Sequence, residues 1–434
     1  MSTEALTEYY NTMKLIRFKT AVIAALAAII ANCNFTLSAE NNEQSPYSRF
    51  GLGVLNDHVS SAQRAMGGIG YAMNNGRQIN SMNPASYAAI DTLTFLFDMG
   101  VNVKSTSLKQ DDLKGNKFTG GIDYINMQFP LGKYMGGSVG FLPYSKVGYA
   151  FGEEIVNGEE AHQGSGSINE LYVRVSGRPF EGFTIGANIS YLFGNLVNDT
   201  YLTTTNSATS LYEKVIEVRD YDLRFGAQYS LNIGSKHRAT LGVVYSPGKD
   251  FRGKTYGVKY DVASSATKPD TVGYAHLQGN YSRPATYGAG LNYQWNNRLM
   301  AEIDFTYQPW RDAKVNVLPE FEPVRYDNRW KVNFGVQYMP DPRGGYLKRV
   351  RYRIGALYNH DYVMVGDNNV KDVGISFGLG LPTPVNRYTK TIINLSFEYR
   401  HRQTTPIKLV TENYFQITLG INFNELWFWQ NKIQ

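Results

Sequence analysis

The sequence predicts an all-β protein: a transmembrane antiparallel β-barrel of about 14 strands with an N-terminal hatch in the lumen. Three observations predict it. Apolar and polar residues alternate in long stretches, as at Leu93, Phe95, Phe97, Met99, Val101 and Val103 against Asp98, Gly100 and Asn102. The alternating runs are about 10 residues long, enough to cross a bilayer when tilted, where soluble strands average about 5–6. Tight connections alternate with long polar ones, as in a barrel with short turns at one end and long loops at the other. Composition agrees. The 434 residues include 32 Tyr and 22 Phe, far too many aromatics for a disordered chain. A helical membrane bundle would need about 20 consecutive apolar residues per span, and the longest run is Ala21–Ala31. One Cys excludes a disulfide framework or a Cys-rich metal site. The net charge of +6, without any Lys/Arg-rich run, speaks against nucleic acid as a partner.

Residues 1–39 read as a secretory signal peptide. Lys14, Arg17 and Lys19 form its positive region, Ala21–Ala31 its short apolar core, and Ser38–Ala39 its cleavage site. The stretch before Met13 fits no signal pattern, which points to Met13 as the start. Cys33 follows Asn32, where lipid attachment requires a small residue, so Cys33 is expected to leave with the signal. The mature chain is then cysteine-free, with a charge of about +5.

Residues 92–424 are expected to form the barrel. Its 14 runs are 92–104, 120–130, 133–144, 167–178, 182–193, 217–231, 237–247, 281–295, 298–310, 327–339, 350–360, 371–381, 391–402 and 413–424. The tight turns are LGK, PFEG, NIGSK and NN; the long connections are 105–119, 145–166, 194–216 and 248–280. An even-stranded barrel starting at the periplasm puts all the long ones outside. Trp295, Trp310 and Trp330 fall at strand ends, with Trp427 and Trp429 just past the last strand, where aromatic girdles belong. Residues 425–434 follow as a periplasmic tail.

Residues 40–91 lack sustained alternation and are Gly-rich, too long for one strand and too apolar for a free linker. RAMGGIGYA (Arg64–Ala72) is followed closely by Asn83-Pro84-Ala85, and the first strand comes directly after. In this the sequence resembles the FadL/TodX family of outer-membrane long-chain fatty-acid and hydrocarbon transporters. The resemblance implies a hatch plugging a 14-stranded barrel in the cell outer membrane. It also implies passive transport of hydrophobic small molecules without a cofactor, and a lateral exit at a kinked third strand. The family's largest external loops follow strands 5 and 7, as 194–216 and 248–280 do here. The chain departs from the family in continuing past Phe423 with NELWFWQNKIQ. The PorV-like shuttles of the type IX secretion system share a hatch and a similar triplet. They imply an alternative: an accessory or assembly barrel acting by protein contact.

The site residues have readings of their own. Pro84 pushes Asn83 out of the helical region, and the Asn83 side chain can replace lost backbone bonds; Gly67, Gly68 and Gly70 permit tight bends against the wall. Strand 3 holds Gly136, Gly137, Gly140 and Pro143, which weaken its pairing and make it the candidate lateral opening; the alternative is that Pro143 marks the strand's upper end. Parity turns Asp98, Arg174, Asp222, Arg224, Glu302, Asp304, Lys331, Arg351, Arg353, Glu398 and Arg400 into the lumen, mostly as paired struts. Arg174 and Arg224 are candidates for holding a ligand carboxylate. Tyr201, Leu202, Leu211 and Tyr212 after strand 5, and Tyr256, Val258 and Tyr260 after strand 7, offer apolar contact. The expected partners are a hydrophobic small-molecule ligand, outer-membrane lipid, the barrel-assembly machinery and, on the alternative reading, a secretion-system partner. No enzyme is expected. The weakest reading is a surface protease built from Asp111–Asp112 and His360–Asp361; Gly366–Asn369 reads as a solvated loop, and no metal site is expected.

Overall fold

The computed structural model describes residues 43–155, 158–204, 209–262, 270–276, 281–314, 325–383 and 391–426. The signal segment, Cys33, Trp427 and Trp429 lie outside them. The wall has 14 strands. They are β1 Thr94–Gln110, β2 Leu113–Pro130, β3 Met135–Ile155, β4 Gly158–Phe180, β5 Phe183–Thr204, β6 Thr209–Ile233 and β7 His237–Ser246. Then come β8 Thr286–Trp295, β9 Leu299–Gln308, β10 Arg329–Tyr338, β11 Arg351–Val365, β12 Asn368–Pro382, β13 Ile392–Thr405 and β14 Thr411–Leu426. Each is antiparallel to its sequence neighbour, and β1 pairs β14 from Thr94↔Leu426 to Lys109↔Thr411, which closes the barrel.

The strands run longer than their apolar alternation. β6 has 25 residues and β4 has 23, so 105–119, 145–166 and most of 194–216 are hairpins rather than loops. In 248–280 a strand Gly253–Val262 adds to the β6 edge, from Gly253↔Val218 to Val262↔Thr209, and Asp270–His276 pairs onto it. The physical reason is that apolar alternation marks only the layer that meets lipid. Above it the outward face meets water and the inward face meets the polar lumen: in Lys104–Gln110, KSTSLKQ, Lys104 and Thr106 are buried inside while Ser105 and Ser107 are exposed, so the segment stays extended without an apolar period.

Within the apolar layer the faces separate as the parity requires. On β4, Leu171, Val173 and Val175 are exposed to the outside while Glu170, Arg174 and Ser176 are buried inside. Trp295 is exposed at a strand end, and Trp330 stacks outside on Tyr358 and His360. Trp310 is not a girdle residue. It is fully buried, stacked on Tyr362 at 4.1 Å, with its indole N–H donated to Gln308. The short turn Trp310–Asp312 after β9 folds it inward, onto a cluster that includes Tyr47, Leu52, Tyr144, Phe251 and Tyr281. This apolar cluster lies at the long-hairpin end; smaller ones, such as Met66, Ile69, Met73 and Met300, lie deeper in the lumen.

Candidate functional site

Residues 43–91 pack inside the barrel, and the wall is shaped to receive them. Ser60 caps the single-turn helix Ser61–Arg64 in a reciprocal capping box with Gln63. The chain then turns at Gly67 and Gly68, both at positive φ, where a side chain would be strained. The bends aim backbone N–H groups at wall carboxylates: Gly70 and Tyr71 donate to Asp304 at 2.6 and 3.0 Å, and Ala72 donates to Glu302 at 2.9 Å. Gly67 N–H donates to Ser376 at 2.8 Å.

Asn83 caps the 3₁₀ turn Pro84–Ala89. Its Oδ1 accepts from Ala85 N–H at 3.0 Å, and its Nδ2 donates to the Tyr71 carbonyl at 2.7 Å. The triplet therefore ties the glycine-rich stretch to the turn that follows. It sits against the cross-strand pair Gly186↔Gly226, where a Cβ on Gly226 would lie 2.0 Å from Asn83 Oδ1.

Charge fixes the segment further. Arg64 pairs with Asp123 at 2.8 Å and Glu398 at 3.3 Å. Asp57 faces Lys331 at 2.6 Å, Arg400 at 3.2 Å and Arg329 at 3.6 Å. Burial alone would raise the Asp57 pKa, but the three cations outweigh it and hold the carboxyl well below the usual carboxylate range. Arg400 continues the network to Asp372 and Glu398, and Arg402 to Asp372 and Glu412.

The wall pairing is interrupted at a seam between β2 and β3. β3 pairs β4 over its whole length, yet β2 and β3 pair only from Pro130↔Gly136 to Ile125↔Phe141. Beyond Phe141 the strands part. The freed β3 edge is taken by the N-terminal segment: Val54↔Lys146 and Leu55↔Ser145 form a short antiparallel pair. Asn56 N–H donates to the Tyr144 carbonyl at 2.9 Å and its Nδ2 to the Pro143 carbonyl at 2.8 Å; Ser45 N–H donates to the Gly148 carbonyl at 2.8 Å. Pro143 lies inside β3, at a bulge between Pro143 and Ser145, rather than at its upper end. Behind the seam is a cavity of about 80 Å³, lined by Lys104, Asp123, Lys146 and Leu55 among others.

The residues singled out from sequence do not all meet at this seam. Gly136, Gly137 and Gly140 lie in the paired half of β3. Gly136 makes room for the lumenal segment, since a Cβ there would lie 2.1 Å from the Tyr87 carbonyl oxygen. Asn83–Ala85 packs on β5 and β6, and the chain at the seam is instead residues 43–57. Arg174 is enclosed: it donates to the Ser81 carbonyl at 2.6 Å, Tyr87 at 2.7 Å and Asn188 at 3.0 Å, over the Tyr172 ring. Arg224 is half-buried and opens on a second cavity of about 70 Å³ with His58, Tyr71, Met82 and Val244. Tyr201 and Leu211 face each other across the β5–β6 hairpin, and Tyr260 pairs with Leu211. Asp111–Asp112 are exposed at the β1–β2 tip; His360 is buried on β11 and bonded to Asp327 at 3.2 Å. Asp367 is exposed and paired with Arg325 at 3.0 Å. Among the described residues, no group of three His, Cys, Asp or Glu is placed to hold a metal. The edge pairing of Val54–Leu55 was missed from sequence; its only signal is an apolar pair bracketed by Gly51, Gly53 and Asn56.

The BamG family model matches residues 19–434. The chain belongs to the BamG family. Its fold is shared with solved transporters at low identity. A Pseudomonas aeruginosa FadL homologue has TM-score 0.61 and 12% identity, over 86% of this chain and 99% of the other. The P. putida toluene transporter TodX has TM-score 0.61 and 13% identity, over 86% and 100%. The Ralstonia pickettii toluene transporter TbuX has TM-score 0.55 and 14% identity, over 86% and 99%. No curated protein matches this BamG-family chain in sequence.

Proposed function

We propose that the chain is an outer-membrane channel for a hydrophobic small molecule, a long-chain fatty acid or a similar compound, with residues 43–91 as its hatch. Ligand enters through the apolar cluster at the long-hairpin end and leaves sideways at the β2–β3 seam when the hatch strand lets go of β3. The observation that carries the reading is the seam: the interrupted stretch of wall pairing is also the place where the lumenal segment joins the sheet. Exit straight into water would cost about 0.8 kcal/mol per CH₂, or roughly 12 kcal/mol for a C16 chain, which a lateral path into lipid avoids. Arg224, beside Met82 and Val244, is the residue suited to hold a ligand carboxylate on the way.

A second reading has its own support. The cavity behind the seam is lined by Lys104, Asp123 and Lys146, poor company for an alkyl chain, and among the described residues no strand pairs with the β3 side of β2 above Ile125, an edge suited to strand addition. An accessory barrel acting by protein contact would use that edge.

Cysteines at Leu55 and Ser145, which are register partners, test the first reading. Oxidation would lock the hatch strand to β3. Uptake of labelled palmitate should fall at least tenfold on oxidation and return on reduction. Unchanged uptake with the cross-link formed overturns lateral exit. If a protein partner then also co-purifies, the second reading takes its place.

A further inference from the structure

At the short-turn end, away from the seam, the lumen opens into a two-lobed vestibule. One lobe, of about 280 Å³, is lined by Arg77, Arg298 and Arg351. The other, of about 510 Å³, is lined by Arg178 and Glu181. Arg238 lines both, as do Asn74 and Gly76 of the lumenal segment, so the lobes share one wall. Five guanidinium groups thus face a concavity with a single carboxylate in its lining.

Their partners are few. Arg298 pairs with Asp341 at 3.8 Å, and Arg178 donates to the Ala88 carbonyl at 2.8 Å. Arg77, Arg238 and Arg351 have no ion pair among the described residues, and the buried Arg238 Nε has no hydrogen-bond partner. Deeper on the same face of β11, the buried Arg353 leaves Nη2 unpaired as well. Around Asp57 and Asp372, by contrast, the cations are matched with carboxylates. Like charges gathered in a recess repel one another and raise its potential. These side chains point inward, so lipid headgroups do not neutralise them. Guanidinium forks match carboxylate and phosphate oxygens in pairs of parallel hydrogen bonds.

We propose that this vestibule is a binding site for a ligand carrying two or more oxyanion groups, carboxylate or phosphate. One group sits against Arg77 and Arg351, the other against Arg178, and Arg238 bridges them. The hatch forms the floor through Asn74, Gly76 and Arg77, so the bound anion contacts the wall and the lumenal segment together. The site does not depend on what crosses the barrel.

The test is calorimetric titration of the purified full-length barrel in non-ionic detergent at low salt, with tripolyphosphate, citrate and orthophosphate as probes. Saturable binding of tripolyphosphate or citrate is expected, at least tenfold tighter than orthophosphate. Arg238→Gln with Arg351→Gln should weaken it at least tenfold. Arg77→Gln, on an exposed turn where folding is not at stake, should weaken it at least threefold. Lys133→Gln, on the outer rim of the same end, should leave it unchanged. Absence of saturable binding, equal affinity for orthophosphate, or equal loss in the Lys133 variant overturns the proposal. A preference between citrate and tripolyphosphate would distinguish a carboxylate from a phosphate ligand.

Discussion

Replacing Asp57 by alanine should release the lumenal segment while leaving the wall closed. Three cations converge on this carboxylate, but they are not equally dependent on it. Arg400 keeps Asp372 and Glu398, and Arg329 keeps hydrogen bonds to Asn359 and Gln308. Lys331 has no other ion pair among the described residues and is 4% exposed, so Asp57→Ala leaves one buried charge without its direct partner. Breaking such a pair from one side costs about 3–5 kcal/mol, a factor of roughly 10² to several times 10³ in the opening equilibrium at 1.4 kcal/mol per decade. The readout is hydrogen exchange in the peptide spanning residues 43–60, which should accelerate by about that factor, while exchange in β11–β13 stays slow. Adding Lys331→Met removes the stranded charge and should recover most of the protection. Wild-type exchange in the single variant, or no recovery in the double variant, would refute the reasoning. The sign of the pH dependence follows from the depressed pKa. The contribution of Asp57 is complete above the usual carboxylate range, and falls away only as pH drops through its lower folded-state value. The contribution of Asp57, read as the difference in protection of 43–60 between the wild type and Asp57→Ala, should therefore be level from about pH 8 to pH 5.

Other substitutions probe other parts of the seat. Gly226→Ala places a Cβ 2.0 Å from Asn83 Oδ1 and should lower the unfolding temperature of the barrel measured by heat-modified gel migration. Asn83→Ala removes the cap on Ala85 and the bond to the Tyr71 carbonyl, for a loss of about 1–3 kcal/mol read by the same melt. Arg224→Gln should reduce uptake of palmitate while sparing a neutral hydrocarbon such as toluene. Intact mass of the exported chain should begin at Glu40 without lipid; a lipidated Cys33 would contradict the signal reading.

The wall was legible in the sequence because lipid on one side and a polar lumen on the other impose a period of two. Every run from 92–104 to 413–424 became a strand. Their extensions were not legible, since KSTSLKQ faces water outside and polar partners inside and carries no apolar rhythm. The inward set, from Asp98 to Arg400, followed from parity alone. Which charges would bond to the lumenal segment did not: Asp304 accepts backbone N–H groups, and a backbone donor has no sequence signature. The strand-3 glycines illustrate the same limit. Sequence shows that Gly136 leaves space, but whether that space weakens pairing or admits the Tyr87 carbonyl depends on a fold partner 49 positions away.

β3 meets the lumenal segment twice. Near the short turns Gly136 presses on the Tyr87 carbonyl, and past the bulge at Pro143 the same strand is laced to Val54–Leu55. The contacts thus join two separate parts of the lumenal segment to one strand, one on each side of the bulge. A substitution that shifts either contact is therefore felt first by β3 and by β4, which pairs with it throughout.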